Sequence, residues 1–343
     1  MPTVATLILF LGIMMGTIIT MSSHHWLTAW MGLELNTLAM LPIISKTKHP
    51  RANEAATKYF LTQAVASCLL LFSSIINAWQ TGSWDILQMT NKYASAIMIV
   101  ALAMKTGTAP LHFWLPEVMH GTTMYTAMLI STWQKMAPMA LLYLTSNHLQ
   151  PTITLTLGVM SAMIGGWGGI NQTQLRKMLA YSSISNLGWA MVVVSFEPNT
   201  FTINILTYIL MMVPTFTILA AMATKTLQNL STSWTTSPTG TTTLMMLLLS
   251  TAGLPPLTGF LPKLLILNEL VTQTLTPIAV ITALTSLLTL VFHLRTVYMT
   301  ALLNPPASTT SAMKWRWPVT KTNSTVLAPL TIFSTTALPN LPT

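Results

Sequence analysis

Two ten-residue stretches decide the fold that this sequence predicts: Gly107-Thr-Ala-Pro-Leu-His-Phe-Trp-Leu-Pro116 and Gly253-Leu-Pro-Pro-Leu-Thr-Gly-Phe-Leu-Pro262. They align without gaps, and glycine, proline, leucine, leucine and proline coincide. Each stretch interrupts a long apolar segment. Because proline removes a backbone donor and clashes with the preceding turn, each segment is expected to break there. The two stretches therefore predict a pair of broken helices, although a chance similarity between segments rich in leucine and proline is the alternative.

The composition decides what surrounds these helices. Only 6% of the 343 residues are charged, 15 basic and 6 acidic, and 52% are hydrophobic. A soluble domain carries about 25% charged residues, so this chain cannot cover a soluble globule with charge. The composition excludes a cytosolic enzyme, a disordered tail and a secreted disulfide scaffold. It predicts an all-α polytopic transmembrane helix bundle, in which lipid solvates the surface.

Hydropathy predicts the number of membrane spans. A helix needs about 20 apolar residues to cross the hydrocarbon core, and the chain offers about eleven such segments. No charged segment precedes the first of them, so it is expected to remain as a span rather than act as a leader. The predicted spans are 3–21, 26–44, 57–77, 94–115, 123–145, 151–170, 175–196, 200–224, 241–267, 276–300 and 323–341.

The positions of the two broken stretches predict an internal repeat. They lie in the fourth and ninth spans, and an offset of five helices turns the second copy upside down in the membrane. We therefore predict a first five-helix repeat over residues 1–145 and an inverted second repeat over 150–303. A loop over 304–322 and a final helix over 323–343 complete the single transmembrane domain.

The charged loops predict the orientation. Loops after odd-numbered spans hold a single basic residue, Lys92. By the positive-inside rule, the N-terminus lies on the electrically negative side and the C-terminus on the other. The net charge of +9 then indicates orientation and contact with anionic lipids such as cardiolipin, not with nucleic acid. The basic residues in the loops after even-numbered spans are Lys46, Lys48, Arg51, Lys58, Arg176, Lys177, Lys225, Arg295, Lys314, Arg316 and Lys321.

Once the charges assigned to loops are set aside, four charged residues remain, and they lie inside predicted spans: Glu34, Lys105, Lys135 and Lys263. A charge at the bilayer centre costs at least about 2.5–3.5 kcal/mol, so each is expected to face the bundle interior with a partner or water. Lys263 is near a span end and could instead extend its amino group to the interface. Lys105 and Lys135 are about 15 Å of helix from either end, beyond the reach of a lysine side chain.

The signs of these charges favour protons over metal cations. One carboxylate and three lysines are a poor ligand set for Na⁺ or Ca²⁺, which need several oxygens at one point. A buried lysine that gains and loses a carboxylate partner can bind and release a proton. His112 is a candidate proton relay, since it would share a polar stripe with Lys105 and Thr108 if the helix were continuous. The alternatives are a hydrogen-bonded structural histidine, and a structural pair of Glu34 with one lysine.

These residues carry a resemblance to a known family. The sequences around Glu34, over Lys105–Glu117 and Trp133–Lys135, and over Gly253–Lys263 are similar to the antiporter-like subunits of respiratory complex I. The resemblance covers essentially the whole chain and is strongest to the mitochondrial members. It implies two inverted five-helix repeats, each with a broken helix. It also implies that Glu34 pairs with Lys105, that Lys135 is a central bridging lysine, and that Lys263 is the ionisable group of the second broken helix.

The resemblance further implies a function. The chain would be a core subunit of the proton-translocating NADH:ubiquinone oxidoreductase of the mitochondrial inner membrane, with its N-terminus in the matrix and its C-terminus in the intermembrane space. Its partners would be the other complex I subunits, especially the neighbouring antiporter-like ones. The lone Cys68 and the lack of a nucleotide fingerprint predict that FMN, the iron–sulfur clusters, NADH and ubiquinone bind elsewhere in the complex, with no cofactor or metal on this chain. A stand-alone cation/proton antiporter and a bundle whose buried charges only specify packing are the competing hypotheses.

Overall fold

The part of the chain that the structure describes is a bundle of α-helices. The structure is a computed structural model and describes residues 3–47, 49–235 and 237–301, together with Thr331. The predicted loop over 304–322 lies outside the described residues, as does the final helix over 323–343 except for Thr331. The helices are α1 (Thr3–Met21), α2 (Trp26–Ile44), α3 (Pro50–Thr81), α4 (Lys92–Thr106), α5 (Trp114–Gly121), α6 (Met124–Ser131), α7 (Trp133–Leu144), α8 (Pro151–Ile170), α9 (Leu175–Val193), α10 (Pro198–Ala221), α11 (Leu227–Ser231), α12 (Pro238–Ala252), α13 (Phe260–Thr272) and α14 (Thr276–Ala301).

The helices follow the predicted spans. Six of those described, α1, α2, α3, α8, α10 and α14, are long and apolar enough to cross a membrane. Helix α9 contains serines and two basic residues, but most of its side chains are buried by other helices, so it needs less apolar surface. The remaining predicted spans within the described residues are divided into shorter helices. The prediction of an all-α transmembrane bundle is therefore confirmed, while the number of about eleven spans is approximate.

The two broken helices are present where the Gly/Pro stretches predict them. Helices α4 and α12 both end at a glycine in the left-handed conformation, Gly107 with φ 80° and Gly253 with φ 84°. Residues without a Cβ adopt this conformation at no steric cost, which makes glycine the usual C-terminal stop. Non-helical segments over 108–113 and 254–259 follow before α5 and α13 begin. Helices α5 and α13 are the second halves of the broken helices. They end beyond the predicted spans 94–115 and 241–267, because the chain becomes helical again after each break.

A third interruption was not predicted. The predicted span over 123–145 divides at Thr132, which has φ −112° and ψ −73°, into α6 and α7. The Thr132 hydroxyl donates a hydrogen bond to the Met128 carbonyl at 2.7 Å, which occupies an acceptor at the end of α6. Pro138 in α7 has no N–H for the Gln134 carbonyl, which loosens the turn just after the break.

Basic residues gather at one end of the bundle, which we call the basic end. The Leu175 amide donates to the Lys225 carbonyl at 3.2 Å, which holds the start of α9 against the end of α10. The Arg295 guanidinium donates to the Ile170 carbonyl at 2.8 Å, which holds α14 against the last residue of α8. The basic end carries Arg51, Arg176, Lys177, Lys225 and Arg295.

Candidate functional site

Lys105 lies in the last turn of α4, just before the first break. Its side chain is only 6% exposed. Its amino nitrogen has no hydrogen-bond partner among the described residues. The amide of Gln63 approaches the Lys105 backbone carbonyl at 3.5 Å, so α3 contacts the end of this half-helix. The break thus places a buried, unpaired amino group in the interior of the bundle.

Glu34 does not form the expected direct ion pair with Lys105. The carboxylate is half-buried on α2 and accepts a hydrogen bond from the Thr37 hydroxyl at 3.1 Å. The ion pairs within 4 Å in the described chain are instead those of Lys58 with Glu54 and Glu117. Glu34 therefore acts on Lys105 through space, by Coulombic attraction.

A narrow polar cavity joins Lys105 to Lys135, since both side chains line it. The Gln134 amide donates to the Asn36 side-chain oxygen at 2.9 Å on its wall, and Gln63 lies on the same wall. The cavity has room for about one water molecule. A single water there would have several polar partners, so two buried lysines are separated by a space that water can bridge.

Lys135 lies in the first turn of α7, just after the Thr132 interruption. It is 4% exposed, and its amino nitrogen has no hydrogen-bond partner among the described residues. The nitrogen lies 5.4 Å from the centre of the Tyr208 ring, a cation–π geometry. The Tyr208 hydroxyl donates to the Ser131 carbonyl at 3.0 Å, at the end of α6. A second small cavity on this side is lined by Lys135, Tyr208 and Asn204 together with apolar side chains, and its exposed surface is apolar.

Lys263 lies in the first turn of α13, beyond the second break. It is 8% exposed, and its amino group donates to the Ala252 carbonyl, the last of α12, at 2.7 Å. The nitrogen is 5.9 Å from the centre of the Trp189 ring. The amino group therefore occupies the gap between two half-helices instead of reaching for the interface. At the first break, the donor to a backbone carbonyl near the end of the first half-helix is Trp114. Its indole N–H donates to the Met104 carbonyl at 3.1 Å.

His112 lies in the non-helical segment after the first break. Because α4 ends at Gly107, His112 does not continue the helical face of Lys105, and the polar stripe expected for a continuous helix is absent. The side chain is 3% exposed, and Nδ1 has no hydrogen-bond partner among the described residues. Its ring lies 6.4 Å from that of Tyr181 on α9. His112 is thus a buried histidine next to the first break, on a different element from the lysines.

His293 was not predicted as a site residue. It lies on α14, is fully buried, and is close enough to Lys263 for the ammonium to repel a positive charge on its ring. Its position inside an apolar span was a signal, because histidine is as unusual there as lysine. The hydrogen-bonding groups Gln63, Asn36, Gln134 and Tyr208 were also missed, since neutral polar side chains are common in helix bundles.

No metal site is apparent in the chain where the structure describes it. None of its His, Cys, Asp and Glu side chains form a group of three that could hold an ion. What the structure does place together is a series of buried basic groups beside helix breaks, with a small cavity that holds polar side chains between Lys105 and Lys135. Such a series can pass protons, because each group can take a proton from one side and release it on the other.

Comparison with known proteins identifies the family. Residues 23–289 match the family described as NADH:quinone oxidoreductase/Mrp antiporter, TM. The NADH-ubiquinone oxidoreductase chain 2 of Varanus timorensis is 51% identical over 100% of this chain and 99% of its own. That of Aquarana catesbeiana is 52% identical over 92% of each chain. The chain belongs to the NADH-ubiquinone oxidoreductase chain 2 family. The resemblance predicted from the sequence is therefore confirmed.

Solved structures show the fold of this chain 2 family member in other assemblies. A chain of respiratory complex I from Thermus thermophilus superimposes with a TM-score of 0.85 at 24% identity, over 96% of this chain and 76% of that one. A chain of the Mrp complex from Dietzia sp. DQ12-45-1b gives a TM-score of 0.80 at 19% identity, over 87% of this chain and 60% of that one. At such identities the likeness shows a shared antiporter-like fold.

Proposed function

We propose that the chain is a core membrane subunit of proton-translocating NADH:ubiquinone oxidoreductase, complex I, in the mitochondrial inner membrane, and that its buried ionisable residues carry the protons. Membership of the chain 2 family supports the first part. One observation carries the second: Lys105, Lys135 and Lys263 are each buried in the helical turn that adjoins a break. A packing role alone does not require all three lysines to lie at interruptions.

The breaks supply what a proton carrier needs. A continuous helix satisfies its own backbone, whereas an interruption frees carbonyls and half-helix ends for water and charged groups. An ammonium taken out of water loses several kcal/mol of hydration, so its proton is held less firmly than in solution. Each lysine can therefore exchange a proton with water that enters the adjoining cavity.

The proposed path runs along the bundle interior. Glu34 draws positive charge toward Lys105 through space, and the polar cavity leads from Lys105 to Lys135. The Tyr208 ring continues the path toward the second repeat, where Lys263 spans the second break. His112 is a secondary relay beside the first break. Electron transfer from NADH to ubiquinone in other subunits drives the cycle, so the redox groups FMN and the iron–sulfur clusters belong to those subunits.

The partners and orientation follow from the same assignment. Other complex I subunits, above all neighbouring antiporter-like ones, cover part of the exposed apolar surface of the bundle. The basic end faces the matrix and contacts anionic lipids such as cardiolipin, because basic residues stay on the electrically negative side. The N-terminus then lies in the matrix, and the predicted eleventh helix takes the C-terminus to the intermembrane space. A stand-alone cation/proton antiporter is not favoured, since full-length relatives at about half identity are named as chain 2 of NADH-ubiquinone oxidoreductase.

The test compares two lysine-to-methionine variants in assembled complex I in sealed vesicles. Lys105→Met removes a buried amino group, and Lys92→Met removes an exposed one on the same helix as the matched control. We expect Lys105→Met to assemble but lose coupled NADH oxidation and proton uptake, with Lys92→Met unchanged. Proton pumping at wild-type stoichiometry by Lys105→Met and by Glu34→Gln would disprove the proton role. Transport by the lone chain in liposomes would favour the antiporter instead.

A further inference from the structure

One face of α14 carries an unbroken row of buried polar side chains. They recur every three or four residues, which places them on one side of the helix. None of them is more than 4% exposed. The row extends about 27 Å along the helix axis, most of the hydrocarbon thickness. Its members are Thr282, Thr285, Thr289, His293, Thr296 and Thr300.

The threonines of this row keep free acceptor capacity. Each hydroxyl donates to the backbone carbonyl three residues earlier on α14, at 2.7–3.0 Å. A hydroxyl that donates one hydrogen bond still has lone pairs that can accept from another donor. The row therefore presents a line of oxygens, at helical spacing, to whatever lies against this face.

His293 is the only member of the row that can carry a charge, and its ring is unsatisfied. The side chain is fully buried, and neither ring nitrogen has a hydrogen-bond partner among the described residues. Buried polar groups nearly always have a partner, from protein or from ordered water. A neutral imidazole needs both an acceptor for its N–H and a donor for its other nitrogen. Water between His293 and its polar neighbours would meet both needs.

Few charged groups surround His293. Helices α8, α11 and α12 pack against α14 and contain no ionisable side chain. Helix α9 also contacts α14, and its ionisable groups are Tyr181 and the two basic residues at the basic end. On α13, the Lys263 ammonium repels a positive charge on His293, and Glu269 lies in the final turn of the helix. On α14 itself, Arg295 donates to a backbone carbonyl of α8 at the basic end.

His293 is within electrostatic range of Lys263 and also lies near the basic end. The neighbouring Phe292 ring packs against Gly169, the second-last residue of α8, so His293 lies near the basic end of that helix. Beyond it, two further threonines continue the row. The Thr300 carbonyl accepts a hydrogen bond from the indole of the tryptophan in the loop before α12. The row thus continues from His293 to the loops of the basic end.

We propose that His293 relays protons between Lys263 and the basic end of the bundle, along the threonine row of α14. The relay rests on the proposed role of Lys263. The Lys263 ammonium gives a proton through water to one ring nitrogen of His293, which leaves a neutral amine and an imidazolium. The opposite ring nitrogen releases its proton to water on the Thr296 side. Lys263 is reprotonated from the Lys135 side, and the same steps run in reverse for uptake.

The first test replaces the histidine in assembled complex I. His293→Gln keeps hydrogen-bonding groups but cannot carry a proton, and His24→Gln changes an exposed histidine as the matched control. We expect coupled turnover to fall about tenfold or more in His293→Gln, the scale of a lost acid–base group, with an altered pH profile. His24→Gln is expected to match the wild type. Wild-type proton stoichiometry and pH profile in His293→Gln would overturn the relay.

A second measurement tests the relay if His293→Gln does not assemble. A water-resolving density map of the wild-type complex is expected to show ordered water within about 3 Å of the ring nitrogens, leading toward Lys263. A dry ring, or a ring bonded only to protein groups, would overturn the relay. Lys263→Met separates the two claims. If it abolishes pumping while His293→Gln does not, only the relay fails; if Lys263→Met pumps normally, the proposed role of the lysine fails too.

Discussion

We expect Gly253→Ala to disrupt the structure at the second break, whereas the same substitution at Gly82 is tolerated. Gly253 has φ 84°, and a Cβ added there would lie 2.7 Å from Nζ of Lys263 and 3.0 Å from its Cδ and Cε. The alanine methyl therefore occupies the space of the lysine side chain. Lys263 has to move away from the Ala252 carbonyl, to which it donates at 2.7 Å.

Gly253→Ala destabilises the folded state in two ways. For a residue with a Cβ, the left-handed conformation costs about 1–2 kcal/mol. Breaking a hydrogen bond from a charged group costs about 1.5–3 kcal/mol more. Gly82 provides the control, because it has φ 69° but nothing within 4 Å of the place where an alanine methyl would lie. Gly82→Ala incurs only the first cost, so Gly253→Ala is expected to be the more destabilising by the second.

Thermal denaturation of the purified complex compares the stability of the two variants, and proton uptake into vesicles during NADH oxidation compares their function. We expect Gly82→Ala to pump like the wild type and to denature at a slightly lower temperature. Gly253→Ala is expected to denature at a clearly lower temperature and to lose coupled turnover. Equal effects of the two substitutions on both measurements would refute the reasoning, because backbone strain alone would then explain them.

Three further changes test other contacts of the site. Trp114→Phe leaves the carbonyl freed at the first break without a donor, which is expected to cost about 1–3 kcal/mol of stability in thermal denaturation, whereas Trp79→Phe at an exposed position is expected to change nothing. Tyr208→Phe keeps the ring beneath the central lysine but loses the hydroxyl hydrogen bond, so a loss of about 1 kcal/mol with proton pumping retained is expected; a complete loss of pumping would place the hydroxyl itself on the path. Lys105→Met removes a buried amino group without a partner, and the same denaturation assay is expected to show unchanged or higher stability. A marked loss of stability there would mean that the amino group is structurally paired.

Local chemistry explains why much of the fold was predictable. Hydropathy located the spans, since only a long apolar helix satisfies its backbone in lipid. The breaks at Gly107 and Gly253 were predictable because glycine and proline act on their own turn of the chain. The sequence left open whether Lys263 is buried or extends its amino group to the interface. The position of α13 decides in favour of burial, and hydropathy does not give that position.

What could not be predicted depends on packing between distant elements. The separation of Glu34 from Lys105 is set by how α2 and α4 each pack against α3, and neither residue's local sequence encodes that distance. Thr132 interrupts its span without a glycine or an adjacent proline, so no local signal marked the break. The burial of His293 follows from the rotation of α14 about its axis, although the threonine spacing on that helix could have indicated the buried face.

The bond between Lys263 and the Ala252 carbonyl links the charge of one side chain to the joint between α12 and α13. The C-terminal end of a helix carries partial negative charge, which an ammonium offsets better than a neutral amine. In the proposed cycle, release of the Lys263 proton weakens the hydrogen bond between the two half-helices, and return of the proton strengthens it again. The proposed loss and return of one proton would thereby change how firmly α12 and α13 are joined.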